Sequence, residues 1–218
     1  LQFGVIGELP SGFYFSGTNE SKLKQTFGVS LHHYELEHLF EKAKDVPEEE
    51  YREEMKYALS RLSNYNQEEE NVIKLAQFIT CVKKLINQDH LQALASRCWP
   101  DFFTELKVAP CGIFSQLTDQ GYPVGCEADI HGSLSMYMMQ TLTGNSAPYM
   151  GDVVHFMEDQ NAIILWHCGF APYSLAKDQK ATAGVHPNRK MGLAMDFGLK
   201  EGKVTLFRIG DGPQGYRF

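Results

Sequence analysis

Two carboxylates stand at the head of the most apolar stretch of the chain: GCEADIHGSLSMYMMQTLTG, residues 125–144, carries Glu127 and Asp129 just before its hydrophobic run. A third acid, Asp152, precedes a strand-like segment in MGDVVHF, and His167 follows four apolar residues in IILWHCG. Carboxylate oxygens and an imidazole nitrogen make a hard ligand set, better suited to Mn²⁺ or Mg²⁺ than to the metals that thiolates select. Glu127, Asp152 and His167 are 25 and then 15 residues apart (127 to 152, 152 to 167), which is no local metal motif, so only the fold can unite them. Each also has a plainer role. Asp129 is placed to cap the following helix, Glu127 to face that helix's dipole, Asp152 to make a turn, and His167 to be a core histidine. His155 and His186 rank behind His167. Cys168 next to His167 could suggest a thiol nucleophile, but the sequence places no second base for it. Trp99 and Trp166, the two tryptophans, suit either a sugar face or a core. GELPSG, residues 7–12, lacks the spacing of a phosphate loop.

The elements that must position these groups alternate. LQFGVIG reads as a buried strand, followed by a helix over 20–27, a strand over 29–34 and a helix over 35–44. Pro47 with Glu48, Glu49 and Glu50 predicts a helix start whose acids oppose the dipole. Asn66 with Glu69 predicts a capping box for a helix with Val72, Leu75, Ala76, Ile79, Val82 and Ile86 on one stripe. A strand at 91–96, a helix in WPDFFTELKV, a short helix in CGIFSQLTD, a strand in YPVGCEA and a helix over 130–142 complete the first part. In such an α/β sheet ligands bind beyond the carboxyl ends of the strands, and Glu127 lies at one such end. After Gly144 the texture changes: MGDVVHF, NAIILWHC and KVTLFRIG read as strands with little helix between them. The pattern predicts an α/β class protein with two domains, a parallel-sheet domain over 1–144 and an incomplete, antiparallel β-rich domain over 145–218.

Composition narrows the partners. The chain has 218 residues, 43% hydrophobic and 22% charged, with net charge −7. Without clustered Lys and Arg, nucleic acid is not expected as a partner. Neither a membrane-spanning run nor a signal peptide is visible. The cysteines number five, without a CxxC pair, which suits reduced thiols in a cytoplasmic protein. Both ends look cut, so a longer polypeptide is expected.

Several ordered blocks carry a resemblance. RCWPDFFTELKVAPCGIFSQLTDQGYPVGCEADIHGSLSMYMMQTLTG and GDVVHFMEDQNAIILWHCGFAPYSLA, with GELPSGF near the start, resemble the L-fucose/L-arabinose isomerase family. The resemblance spans nearly the whole chain, and CEAD, the GD at 151–152 and WHCG at 166–169 are its most specific parts. It implies a Rossmann-like second domain and the start of a barrel-like C-terminal domain. It further implies a metal-dependent aldose–ketose isomerase working through a cis-enediol, with Mn²⁺ or another divalent cation such as Mg²⁺ or Co²⁺. Glu127 and Asp152 match the family's catalytic and metal-binding acids, and His167 matches a metal-binding histidine of the arabinose-type pattern. A small sugar substrate and a homo-oligomer with intersubunit active sites are also implied. Arg97 stands before the Cys-Trp pair, where the family pattern suggests Gln. Arg97 with Trp99 therefore belongs to the expected substrate-binding set, either reading an anionic group on the sugar or lying in a surface salt bridge. The chain departs from the family in ending before a further metal-binding histidine and in lacking the N-terminal domain. Two other readings stand beside the enzyme: a catalytically silent sugar-binding or regulatory relative, and a structural module.

Overall fold

A computed structural model describes residues 1–66 and 68–218. Four parallel strands form the central sheet: β1 (Gln2–Ile6), β2 (Ser30–Tyr34), β3 (Ala93–Ser96) and β4 (Val124–Gly125), in the order β2-β1-β3-β4. β1 and β3 are central and almost wholly buried, as their unbroken apolar runs require. The period-2 alternation divides β1 between two cores. Ile6 joins Leu94 and the helices α2 (Leu36–Lys44), α4 (Glu70–Asp89) and α5 (Cys111–Asp119) on one face. Phe3 and Val5 join Ala93, Ala95 and the helices α1 (Glu20–Phe27) and α6 (Ile130–Leu142) on the other. Helices thus cover both faces of a parallel sheet, as expected for a mixed α/β chain.

The helix α3 (Glu48–Arg61) packs on α4 and places Glu54 inside, where a buried carboxylate needs partners. Lys83 supplies the charge at 2.5 Å, and Gln116 and Gln120 donate at 3.0 and 2.8 Å. No helix of the described residues is long and apolar enough to cross a membrane.

Residues after 145 contribute to the same two cores, through Phe170, Tyr173, Leu193 and Met195 on one side and Ile209 on the other. Their strands pair only as separate two-stranded antiparallel ribbons. These are β5 (Asp152–Met157) with β6 (Ala162–Trp166), β7 (Ala183–Gly184) with β8 (Ala194–Met195), and β9 (Gly210–Gly212) with β10 (Gly215–Arg217).

Four local expectations are corrected. KVTLFRIG is not a strand, because residues 203–209 find no ladder partner. Side chains hold that segment instead: Ile209 is buried in the second core, and its N–H donates to Ser135 Oγ at 2.9 Å. WPDFFTELKV gives only one wide turn, Phe102–Leu106, closed by Lys107 at φ 60°. The capping box does not form: Asn66 Oδ1 accepts from Glu68 N at 2.9 Å, and Glu69 occupies the cap position with its carboxylate accepting from Asn66 Nδ2 at 3.5 Å and not from a helix N–H. YPVGCEA is a strand for two residues only, and what replaces its end makes the site.

Candidate active site

The strand order fixes where a ligand can sit. β1 leads to β2 on one side, and β3 lies on the other, so the crevice opens beyond the carboxyl ends of β1 and β3. Gly7 and Arg97 follow those ends and face each other, a Cβ on Gly7 falling 3.1 Å from Arg97 Cβ. Glu127 lies beyond the end of the neighbouring β4.

Glu127 does not continue β4. The backbone breaks into a turn, Cys126–Ala128, in which Glu127 and the following Ala128 adopt left-handed conformations at φ 61° and 55°. Two consecutive non-glycine residues in that region are unfavourable and persist only where the surroundings over-determine them. Here they do. Gly125 N donates to Ser133 Oγ at 3.1 Å, and that hydroxyl in turn donates to Leu94 O at 2.6 Å, pinning the turn to β3. A Cβ on Gly125 would fall 2.3 Å from Asp129 O and from Ser133 Oγ, so only glycine permits the approach. Asp129 then caps α6, accepting from Gly132 N at 2.8 Å, as its position before the apolar run predicts. The same carboxylate takes a two-pronged contact from Arg208, one arm at 3.0 Å. Asp129→Ala should therefore lower stability by about 1–2 kcal/mol, chiefly through the lost cap, with a smaller part from the ion pair to the half-exposed Arg208. A shift in the denaturation midpoint checks this.

The other two groups arrive by strand pairing. β5 and β6 place Asp152 opposite Trp166, one residue from His167. His167 is buried, with its ring edge-on to Phe170 at 5.5 Å, and it lines a cleft shared with Tyr149, Trp166, Asp196 and Phe197. Burial raises the Glu127 carboxyl to about 7, with the negative charges of Asp152, Cys168 and Asp129 adding to the rise and His167 opposing it. Burial works against the charged imidazole of His167, but Cys168, Asp152 and Glu127 outweigh it and leave its pKa raised. Tyr149, half-buried and close to Asp152 and Cys168, is pushed up to about 12 by that burial and by their negative charges. The three residues expected to act together thus lie within each other's electrostatic reach.

Their donor set fits a divalent cation in kind. Two carboxylates and an imidazole are hard ligands, and the burial that raises the Glu127 carboxyl, with a lesser part from neighbouring acids, disfavours its anion, which a dication would stabilise. Their ligand atoms do not close to within 4.8 Å of one another among the described residues, so coordination by all three requires side-chain rotation.

A softer cluster does close that far: Cys111, Cys168 and His186. His186 Nδ1 already accepts from Asn188 N at 3.3 Å and Arg189 N at 3.2 Å. The neutral ring then carries its proton on the other nitrogen and offers no free lone pair to a metal. Contacts run on from this cluster toward Glu127. Cys168 Sγ lies 3.6 Å from His167 Nδ1, and Cys98 meets Cys126, the residue before Glu127.

Arg97 and Trp99 therefore border the Glu127 turn through Cys98. Arg97 Nε donates to Trp99 O at 3.1 Å and meets the Asp101 carboxylate at 2.7 Å without the alignment of a hydrogen bond. Trp99 is 37% exposed, and the Arg189 guanidinium lies over its ring, 4.2 Å from the centroid. Sequence reasoning missed Tyr149 and Arg189. Tyr149 sits three residues before Asp152, just after the turn-forming residues 145–148 and outside any motif, and Arg189 lies in a turn, VHPNRK, without periodic signal.

Fold and site together describe a mixed α/β chain with Glu127 beyond the carboxyl end of its parallel sheet and Asp152 and His167 within electrostatic reach of it. Comparison with known proteins adds particular relatives. The chain is 50% identical over 218 residues to the sulfoquinovose isomerases of Priestia aryabhattai and Priestia megaterium, covering 100% of this chain and 49% of each relative. It is 38% identical over 218 residues to the sulfoquinovose isomerase of a Clostridium species. The chain thus spans about half the length of the curated relatives it matches. No family model matches it.

Proposed function

We propose that this chain is the site-bearing part of an aldose–ketose isomerase of the L-fucose/L-arabinose isomerase kind, acting on sulfoquinovose, a sulfonated aldose. The observation that carries the reading is the convergence of Glu127, Asp152 and His167 on one another's charges from three separate segments. In this reading residues 1–144 are a Rossmann-like domain and 145–218 part of a barrel-like one. The active enzyme is a cytoplasmic homo-oligomer with sites between subunits.

Glu127, Asp152 and His167 would hold Mn²⁺, or another divalent cation such as Mg²⁺ or Co²⁺, which when bound supplies positive charge to the sugar oxygens. The reaction moves one hydrogen from C2 to C1 and one from the C2 hydroxyl to the C1 oxygen. A carboxylate of the Glu127–Asp152 pair takes the C2 proton, giving a cis-enediol, and a carboxyl of the pair protonates C1. A carboxyl whose pKa stands near 7, like that of Glu127, exchanges protons with little free-energy cost near neutrality. Trp99 offers the ring face that Arg189 leaves uncovered to the sugar, and Arg97, its charge balanced by Asp101, borders it as a polar contact.

The test uses the complete polypeptide with sulfoquinovose and Mn²⁺, following the anomeric and ketose signals by NMR. Ketose should accumulate to an equilibrium approached from either side. Binding without conversion would instead identify a silent sugar-binding relative.

A further inference from the structure

We infer that Arg189, stacked on Trp99, is the residue that recognises the anionic group of the substrate. This inference rests on the isomerase reading for the identity of the sugar. A sulfonate is ionised at neutral pH and presents three equivalent oxygens, for which a planar guanidinium fork is the matching donor. The chain's net charge is −7, so a local cation is needed to draw an anion to this edge.

Two guanidinium groups meet at Trp99, one on its carbonyl and one on its ring. They are not equivalent. Arg97 is neutralised by Asp101 at 2.7 Å, whereas among the described residues Arg189 has no carboxylate within ion-pair reach. Among the described residues the Arg189 guanidinium over the Trp99 ring donates no hydrogen bond, so its N–H groups are available to grip an oxyanion.

The arm is also held in place at its base. His186 Nδ1 accepts the N–H of Arg189, and Lys190 N donates to His186 O at 2.9 Å, closing a tight turn. His186 itself is buried, edge-on to Phe103 at 5.1 Å, with a ring nitrogen within 4.8 Å of the sulfur of Cys168, the residue after His167. One short turn thus links the wall of the acid–imidazole cluster to an unneutralised cation at its rim.

The experiment measures affinity by equilibrium dialysis, in the complete polypeptide, for sulfoquinovose and for its sulfur-free counterpart quinovose. The preference for the sulfonated sugar should fall by about 10- to 100-fold in Arg189→Ala, the range expected for one hydrogen-bonded charge. Arg189→Lys should recover part of it, and Arg189→Gln should not. A preference unchanged in Arg189→Ala, or absent from the wild type, overturns the inference. Turnover measured in parallel separates the two ideas. A wild type that binds sulfoquinovose selectively through Arg189 but never converts it sinks the isomerase reading and upholds the anion site.

Discussion

Glu127→Gln in the complete polypeptide is expected to lower the rate of ketose formation by at least about 10³-fold, within the range attributed to a positioned acid–base group. The amide keeps the shape of the side chain and removes its capacity to exchange a proton. It also removes one anionic ligand, so the variant should need more metal as well as turning over more slowly. The fold should survive. In metal-free protein the Glu127 carboxyl stands at about 7, above its ordinary value of 4.5. A raised carboxyl means that the unfolded chain gives up this proton first. The folded state is therefore progressively destabilised as pH rises from about 4.5 to about 7, and that penalty persists above. Gln carries no such penalty. Thermal unfolding at pH 8 without metal should show Glu127→Gln at least as stable as the wild type, and a marked loss of stability would recast Glu127 as a structural residue.

Removal of divalent cations should abolish turnover, and Mn²⁺ should restore it. Turnover indifferent to a strong chelator would reject the metal-dependent reading outright. The finer expectation concerns Asp152 and His167. Since Asp152 faces Trp166 across β5 and β6, Asp152→Asn leaves the ribbon's backbone pairing intact and tests only the carboxylate. Asp152→Asn and His167→Gln should each weaken Mn²⁺ binding by about 100-fold or more, exceeding the 10- to 100-fold typical for a residue that merely supports a ligand. Direct metal titration reads this without reference to turnover. Equal loss of metal from a variant of His155, which is exposed on the same ribbon, would show that the effect is not specific to the cluster.

Much of the scaffold was legible in the residues. The stripe from Val72 to Ile86 is the buried face of α4, and the helices at 20–27, 111–119 and 130–142 stand where they were expected, the last behind its Asp129 cap. Asp129 was legible as a cap because an N-cap needs only an acceptor before a helix, a local relation. The acid two positions earlier was harder. The residues GCEA favour a continued strand, and the left-handed turn at Glu127 is imposed from outside, by Ser133 and by the close packing at Gly125. KVTLFRIG misled for the opposite reason. Its pattern suits a strand, but a strand needs a partner edge, and that segment meets α6 and the second core instead.

By itself, then, the sequence determined the alternation of elements, the two-faced burial of β1, the cap at Asp129 and the kinds of side chain available for chemistry. Those properties depend on residues near one another along the chain. The tertiary structure alone decided that Glu127 is turned out of its strand, that β5–β6 pairing brings Asp152 beside His167, and that Arg97 is matched by Asp101 while Arg189 is left over Trp99 without a counter-ion. The contacts of Leu94 with Ser133 and of Trp99 with Arg189, and the pairing of β5 with β6, join segments separated along the chain and are fixed by strand register and side-chain packing; the Arg97–Asp101 pair is local, four residues apart, but its choice over Arg189 shows only once both guanidinium groups meet at Trp99.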